Sequence, residues 1–332
     1  MSDYLTKVLH ALAKPIVGLT RPADRTFWLF LVGAVALSTV VWFVKLRRRA
    51  TWFAFLFPRA IWGHPSAVLD YKLAFARAGI DAALFTPFAV SSIAVAMFVA
   101  ARLRLSFGPA PVTDASRLLV ALLFTVAALL AEDFGRFLVH YAAHRVPVLW
   151  ELHKLHHSAE VMTPWTLHRT HPIEGCVMRG GAALFVGVMG GVFVWAFPGK
   201  VSGWTILGVD ALGFVWNATV SNLRHSHVWI SFGRIGEHLF ISPAQHQIHH
   251  SDRPDHHHMN MGSTFAFWDW LFGTLYVTRG FERLRFGLPP SERNHEDTVL
   301  SALFGPMAAA GRRLLAPIER AAPFLRRRPP AL

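Results

Sequence analysis

The sequence predicts an all-α fold, a multi-pass membrane helical bundle of about four to five spans with a cytoplasmic, histidine-rich helical cap. Hydrophobic residues make up 53% of the 332 residues and charged residues 16%, whereas soluble domains carry about 25% charged residues. The 27 Phe and 12 Trp residues suit a lipid-facing surface with aromatic belts. Histidine is concentrated, because 16 of the 19 histidines lie between His140 and His258.

Five apolar segments are candidate spans, since crossing a bilayer takes about 20 apolar residues. The first is followed by the basic run Lys45–Arg49, which is typical of an anchor beside anionic lipid headgroups. Prolines separate the second from the third, and the turn Pro198-Gly199-Lys200 separates the fourth from the fifth. In chain order the segments are Phe27–Val44, Leu84–Ala101, Leu118–Ala131, Ala182–Phe197 and Val201–Val220.

The number of spans predicts the topology. If Lys45–Arg49 is cytoplasmic, the later spans form two hairpins, and both histidine-rich stretches meet on the cytoplasmic face. The predicted organisation is an N-terminal interfacial segment (1–26), a transmembrane region (27–131), a first cytoplasmic histidine-box region (132–181), a transmembrane hairpin (182–220), a second cytoplasmic histidine-box region (221–280) and a basic C-terminal tail (281–332).

Several classes of protein are disfavoured. The net charge of +13 could indicate nucleic-acid binding, but the positive residues flank apolar segments and no nucleic-acid-binding motif is present. The single cysteine, Cys176, excludes an intrachain disulfide, a cysteine-ligated iron–sulfur cluster and a Cys-rich zinc site. The chain contains no His-Glu-x-x-His, the motif of a membrane zinc protease.

The histidines recur at spacings that place several of them on one helix face. His140 and His144 are four residues apart, so both can face one metal ion. The motif His-x-x-His-His begins at His153 and again at His246, and the sequence His225-Ser226-His227 lies between the two copies. Repeated helical spacing of this kind indicates metal ligation.

The number of imidazoles indicates two metal ions. A single zinc site uses about three or four ligands, whereas this set allows about five for each of two ions. Neutral imidazole binds iron, copper, nickel and zinc, so the ligand type alone does not choose the metal. The candidate ligands are His140, His144, His153, His156, His157, His225, His227, His246, His249 and His250.

The segments 133–158 and 243–251, followed by Trp268-Asp269-Trp270-Leu271-Phe272-Gly273-Thr274, resemble the fatty acid hydroxylase / sterol desaturase superfamily of membrane di-iron enzymes. The resemblance implies a lipid hydroxylase or desaturase of monooxygenase type. It further implies two iron ions, O2 as cosubstrate, and a ferredoxin or cytochrome with its reductase as external electron donor. It implies as ligands all the candidates above except His227, which stands where relatives often have Asn.

Four further residues are candidate partners that orient ligand imidazoles through their free N–H groups: His171, Glu174, Asp133 and Asp269. A purely structural cap is the alternative for His171 and Glu174. The run His256-His257-His258 is interpreted as a solvated loop or as partners of the ligands, and direct metal binding there stays open.

The chemistry follows from the substrate that a membrane site would meet. An unactivated C–H bond of a lipid offers no acidic proton, so redox metals would carry the reaction. The sequence leaves open the lipid (fatty acyl, sterol or other) and the choice between hydroxylation and desaturation. Zinc can compete for the site in purified protein. The alternative function is a non-catalytic membrane metal-binding or metal-transport protein. The bacterial inner membrane is the favoured location, and the endoplasmic reticulum applies to a eukaryotic source.

Overall fold

In this computed structural model, the described residues are 6, 12–48, 50–85, 89–110, 113–202, 205–206, 209–292 and 297–325. Their regular secondary structure is almost all helix, as predicted, and it includes one short antiparallel ladder that pairs β1 (Thr205–Ile206) with β2 (Val209–Asp210). The helices are α1 (Lys14–Val17), α2 (Trp28–Val41), α3 (Trp52–Leu56), α4 (Arg59–Trp62), α5 (Pro65–Ile80), α6 (Ser92–Phe107), α7 (Arg117–Arg145), α8 (Pro147–His157), α9 (Pro172–Ala196), α10 (Ala211–Thr219), α11 (Gly233–Leu239), α12 (Pro243–His249), α13 (Phe267–Phe272) and α14 (Val299–Leu325).

Three helices of the described part are long and apolar enough to cross a membrane: Trp28–Leu46 (α2 with a π-helical end), α7 and α9. The expected count of four to five spans is therefore not confirmed. In the second expected span the helix α6 starts late, because the Ser91 side chain caps it by accepting from Ala94 N–H. In the fifth, the Asp210 side chain accepts from Gly213 N–H and starts the nine-residue α10 after the β-ladder.

Helix α9 packs closely against α6 and α7 through glycines. A Cβ atom on Gly187 would lie 2.8 Å from the Ser92 carbonyl oxygen, and one on Gly191 would lie 2.7 Å from that of Ala96. A Cβ on Gly135 of α7 would lie 2.7 Å from the carbonyl oxygen of Gly181 in α9. Such close backbone contact is the usual way in which helices associate in lipid, where burial of apolar surface adds little.

Helix α7 connects an apolar surface to the histidine cap. Its first turns expose Leu118, Leu119 and Leu123, as expected of a lipid-facing helix. Its last turns bury His140 and His144 instead. The helix therefore has an exposed apolar surface in its first turns and buried histidines in its last turns.

Helix α14 packs against the cap although it lies within the segment predicted to be a basic tail. Ala302 joins a buried cluster with Leu155 of α8 and Leu69 and Leu73 of α5. Arg313 Nε donates to Glu151 Oε1 of α8 at 3.0 Å. The contact braces α8, which bears three candidate ligands. Of the two predicted terminal segments, residues 1–5, 7–11, 293–296 and 326–332 lie outside the described residues.

The α6–α9 contact is tested by a matched pair of substitutions. We expect Gly191→Ala to destabilise the protein by about 1–3 kcal/mol, the usual cost of overpacking, because the new methyl group would collide with the Ala96 carbonyl. Gly190→Ala is the control, since its Cβ would meet Ala96 Cβ at an ordinary 3.4 Å. Thermal unfolding in neutral detergent measures both variants, and equal melting temperatures would contradict the close contact.

Candidate metal centre

Nine of the ten candidate ligands lie together in two buried groups. Within each group the ring nitrogens that face one another lie within 4.8 Å. The first group has five members and the second has four. The first consists of His140, His144, His153, His157 and His249, and the second of His156, His225, His246 and His250.

Two short helices present the repeated His-x-x-His-His motif. Pro147 occupies the first turn of α8, where the missing N–H costs nothing, and the helix ends at His157. Helix α12 begins with a capping box in which the Ser242 hydroxyl accepts from Gln245 N–H and Gln245 Oε1 accepts from Ser242 N–H. The first residue of each helix determines which side chains lie on which face, and in both helices the histidines of the motif face the centre.

In the first group, imidazole nitrogens meet without a proton between them. His153 Nε2 lies 3.1 Å from the Nε2 atoms of His140, His144 and His157. The Nδ1 of His153 lies 2.7 Å from Glu174 Oε1, and the Nδ1 of His140 lies 2.6 Å from the Met261 carbonyl oxygen. Oxygen acceptors of this kind require a proton on each Nδ1, so the Nε2 of each neutral ring carries only a lone pair.

These lone pairs fit a bound cation. Nitrogen ligands at about 2.0–2.1 Å from a metal ion lie roughly 2.9–3.4 Å from one another. His249 is held in the same tautomer, because its Nδ1 donates to the Met259 carbonyl oxygen at 2.8 Å, and its buried Nε2 has no partner among the described residues. The donor set, the spacing and the unpartnered nitrogen all suit a metal in the first group.

The second group repeats the pattern. His225 Nε2 lies 3.2 Å from His156 Nε2 and 3.0 Å from His246 Nε2. The Nε2 of His250 is buried and has no hydrogen-bond partner within the described part of the chain. The group therefore offers four converging imidazoles, and their ring nitrogens suit the same class of metal ion as the first group.

Burial keeps these imidazoles neutral. It lowers the pKa of His153 and of His156 to about 3, with neighbouring imidazoles adding to the effect at His156. Burial, followed by the neighbouring imidazoles, lowers the pKa of His225, His246 and His249 well below the ordinary value. The neutral form is the one that binds metal.

The four residues predicted to be partners of the ligands differ in what they contact. Glu174 contacts His153 directly. Asp269 accepts from the N–H groups of Met261 and Gly262, and thereby fixes the Met261 carbonyl that holds His140. Asp133 accepts from the N–H groups of the neighbouring residues 264 and 265. His171 caps α9, and its Nε2 contacts the Leu303 carbonyl oxygen of α14, so it touches no histidine of the two groups through these bonds.

Some histidines stay outside both groups. His227 belongs to neither group, and its Nε2 lies 2.7 Å from the Phe55 carbonyl oxygen. His256 is buried beside Glu282, His257 is exposed, and the His258 ring lies 5.6 Å from that of His144. The Met259 and Met261 carbonyls that orient ligands could not be found from the sequence, because backbone oxygens leave no residue-type signal.

Two cavities reach the centre. One, of about 460 Å³, touches His144, His157, His249 and His250. The other, of about 400 Å³, touches the centre's remaining five histidines and is called the inner cavity below. The centre thus lies between two openings that small molecules can occupy.

Comparison with known proteins matches residues 125–274 to the family model of fatty acid hydroxylase. The alkylglycerol monooxygenase of Xenopus tropicalis is 26% identical over 159 residues, which are 48% of this chain and 31% of that protein. The one from Caenorhabditis elegans is 23% identical over 175 residues, 53% of this chain and 31% of that protein. The Delta(7)-sterol 5(6)-desaturase of Aspergillus fumigatus is 28% identical over 155 residues, 43% of this chain and 45% of that protein. The match to the monooxygenases thus spans only about a third of their length. No solved structure matches the chain.

Metal content tests the two groups. We expect His246→Ala to lower the iron bound per chain, because it removes one of the four nitrogens of the second group. His227→Ala is the matched control and should retain the metal content of the unaltered protein, since the His227 nitrogen is bonded to Phe55. Elemental analysis of purified, iron-reconstituted protein measures both, and equal loss from the two variants would contradict this assignment of ligands.

The lowered histidine pKa values predict how stability depends on pH. The unfolded chain has imidazole pKa values of about 6.5, whereas His153 and His156 have pKa values of about 3 when folded. Between these values the unfolded state binds more protons, so stability falls as the pH falls through this window. We expect the melting temperature of metal-free protein to decrease from pH 7 toward pH 4, and less steeply in the double variant His153→Gln, His156→Gln. An identical slope in the unaltered protein and the double variant would refute the attribution.

Proposed function

We propose that this chain, which belongs to the fatty acid hydroxylase / sterol desaturase superfamily, is an O2-dependent membrane oxidoreductase that hydroxylates or desaturates a membrane lipid. The observation that carries the proposal is the convergence of nine buried imidazoles in groups of five and four. All nine lie within the segment that matches the family. Two iron ions, one for each group, are the proposed cofactors, and the cytoplasmic side is the proposed location of the centre.

The stoichiometry requires a partner. Hydroxylation converts a C–H bond, O2, two electrons and two protons into an alcohol and one water molecule. Desaturation uses two C–H bonds on adjacent carbons with the same O2, electrons and protons, and it yields an alkene and two water molecules. The sequence has one cysteine and no Gly-x-Gly-x-x-Gly fingerprint. We therefore propose a ferredoxin or cytochrome, with its reductase, as the external electron donor.

The residues of the chain prepare the site for this reaction. Bound iron would supply the redox chemistry with O2 that an unactivated C–H bond requires. Glu174 and the Met259 and Met261 carbonyls hold three rings in one tautomer, with Nε2 directed at the centre. Burial of all nine rings excludes bulk water from around them. The two cavities provide routes for lipid and O2 to the centre.

Isotope labelling tests the function. We expect cells that express the protein under oxygen-18 gas to form a lipid with one additional oxygen-18 atom, or a lipid that lacks two hydrogens and carries no label. The variant His156→Ala, His157→Ala should abolish the product, because it removes one imidazole from each group. His227→Ala should retain it. Mass spectrometry of total lipids measures all three proteins.

The outcomes separate the proposal from its alternative. Product that persists in the double variant would contradict a role for the centre. Cells fed a panel of fatty acyl, sterol and other lipids that yield no product from iron-loaded protein with a competent donor would favour a non-catalytic metal-binding or metal-transport protein. Zinc in the purified protein would not decide the question, because zinc competes well for imidazole.

A further inference from the structure

The inner cavity is rich in positive charge. Its wall contains six basic residues and three acidic residues, Asp24, Asp81 and Glu174. Lys14 lies 3.8 Å from Asp24 and Arg179 lies 3.1 Å from Asp81, whereas Glu174 accepts from neutral His153 at 2.7 Å and attracts Arg77. The basic residues are Lys14, Arg25, Arg77, Arg136, Arg179 and Arg224.

Arg25 and Arg224 are the two cations of this wall that lack an ion pair with any carboxylate in the described part of the chain. Arg77 and Arg179 share Asp81, and Arg136 pairs with Glu132 on its own helix. A buried or half-buried guanidinium without a counter-ion is costly. The cavity therefore contains positive charge that the protein itself leaves uncompensated.

The two guanidinium groups lie side by side. Arg25 Nη2 donates to the Ser221 carbonyl oxygen at 2.6 Å, and Arg224 Nε donates to the same oxygen at 3.4 Å. The two nitrogens are consequently no more than 6.0 Å apart. Arg224 is buried and also contacts the Ser263 carbonyl. The Nε of Arg25 is buried and has no hydrogen-bond partner among the described residues.

Electrostatics agrees with this geometry. Burial, followed by repulsion from Arg224 and Arg136, lowers the pKa of Arg25 well below its ordinary value. The carboxylate of Asp133 attracts Arg224 without forming an ion pair with it. The oxygens of Asp133 are already occupied by the N–H groups of residues 264 and 265. An anion placed between the two arginines would relieve the repulsion and satisfy the free Arg25 donor.

We propose that the inner cavity binds the anionic head group of the lipid substrate, a phosphate or a carboxylate, through Arg25 and Arg224. The proposal rests on the proposed function, because it identifies the class of lipid on which the centre acts. Guanidinium groups suit it, since their planar forks match the oxygens of phosphate and carboxylate. The same cavity reaches His156, His225 and His246, so an anion held there lies beside the second histidine group. Arg25 lies outside residues 125–274, the segment that matches the family, whereas Arg224 lies within it. The proposed site therefore combines the family segment with the N-terminal part of the chain.

Binding of defined amphiphiles tests the proposal without turnover. The iron-loaded full chain in neutral detergent is titrated with dodecyl phosphate, dodecanoate, dodecanol and inorganic phosphate. We expect the two anionic amphiphiles to bind at least about tenfold more tightly than dodecanol, since a charge-assisted hydrogen bond contributes about that much. Arg25→Gln should lose this tenfold preference, whereas Arg25→Lys should retain part of it. Arg234→Gln, which removes an exposed charge, should leave binding unchanged.

Three outcomes would overturn the proposal. The first is equal affinity for dodecanol and dodecyl phosphate. The second is an Arg25→Gln variant that keeps its iron content and melting temperature and still prefers the anions. The third is inorganic phosphate that binds as tightly as dodecyl phosphate, which would assign the site to a free anion. If Arg25→Gln does not fold, the unaltered protein is titrated with dodecyl phosphate at a salt concentration about tenfold higher. We expect the binding to weaken, and unchanged binding would overturn the proposal.

The two proposals fail separately. The variant His156→Ala, His157→Ala should still bind dodecyl phosphate but form no oxidised lipid. Normal binding of the anions, together with no oxygen-18 product or alkene from any lipid, would refute the proposed function and leave the anion site in place. Full oxidation of a lipid by Arg25→Gln, with unchanged rate and KM, would refute the head-group site and leave the proposed function in place.

Discussion

The structure depends on one electrostatic constraint: the unprotonated Nε2 atoms of His140 and His153 face each other at 3.1 Å in a buried site, and the Nε2 atoms of two further rings lie equally close to His153. Lone pairs at this separation repel each other unless a cation lies between them. The surrounding protein holds the rings in place by their other nitrogens, through Glu174 and through the carbonyls of Met259 and Met261. Asp269 in turn holds the loop that supplies those carbonyls. The polar network of the cap therefore orients ligands while the apolar helices supply a rigid base.

Much of the centre could be predicted from spacing. The separation of His140 from His144 and the spacing within the two His-x-x-His-His motifs predicted eight of the nine rings, and the ninth, His225, came from the sequence His225-Ser226-His227. Spacing did not show which rings join which group, because periodicity describes one helix and not its neighbour. His227 illustrates the limit, since a carbonyl from the distant α3 occupies its nitrogen. The hydropathy pattern also could not predict where helices α6 and α10 start, because the N-cap side chains of Ser91 and Asp210 determine those positions.

The arginines of the inner cavity show a second limit of sequence reasoning. Arg25 and Arg224 are nearly two hundred residues apart in the chain, yet they donate to one carbonyl oxygen. In the sequence they looked like two of many positive residues in a chain of net charge +13, most of which suit a membrane surface. Only the fold distinguishes the arginines that pair with carboxylates from those that do not. The contact between Arg25 and Arg224 thus joins two segments that carry no recognisable motif alone.

Each motif helix contributes to both histidine groups. Helix α8 provides His153 and His157 to the first group and His156 to the second. Helix α12 provides His249 to the first group and His246 to the second, and His250, the residue directly after this helix, also belongs to the second. Neither group can therefore assemble while the other is disordered, and a rotation of either helix misaligns both at once. The two groups thus form one structural unit, and a substitution that shifts either helix would alter the metal affinity of both.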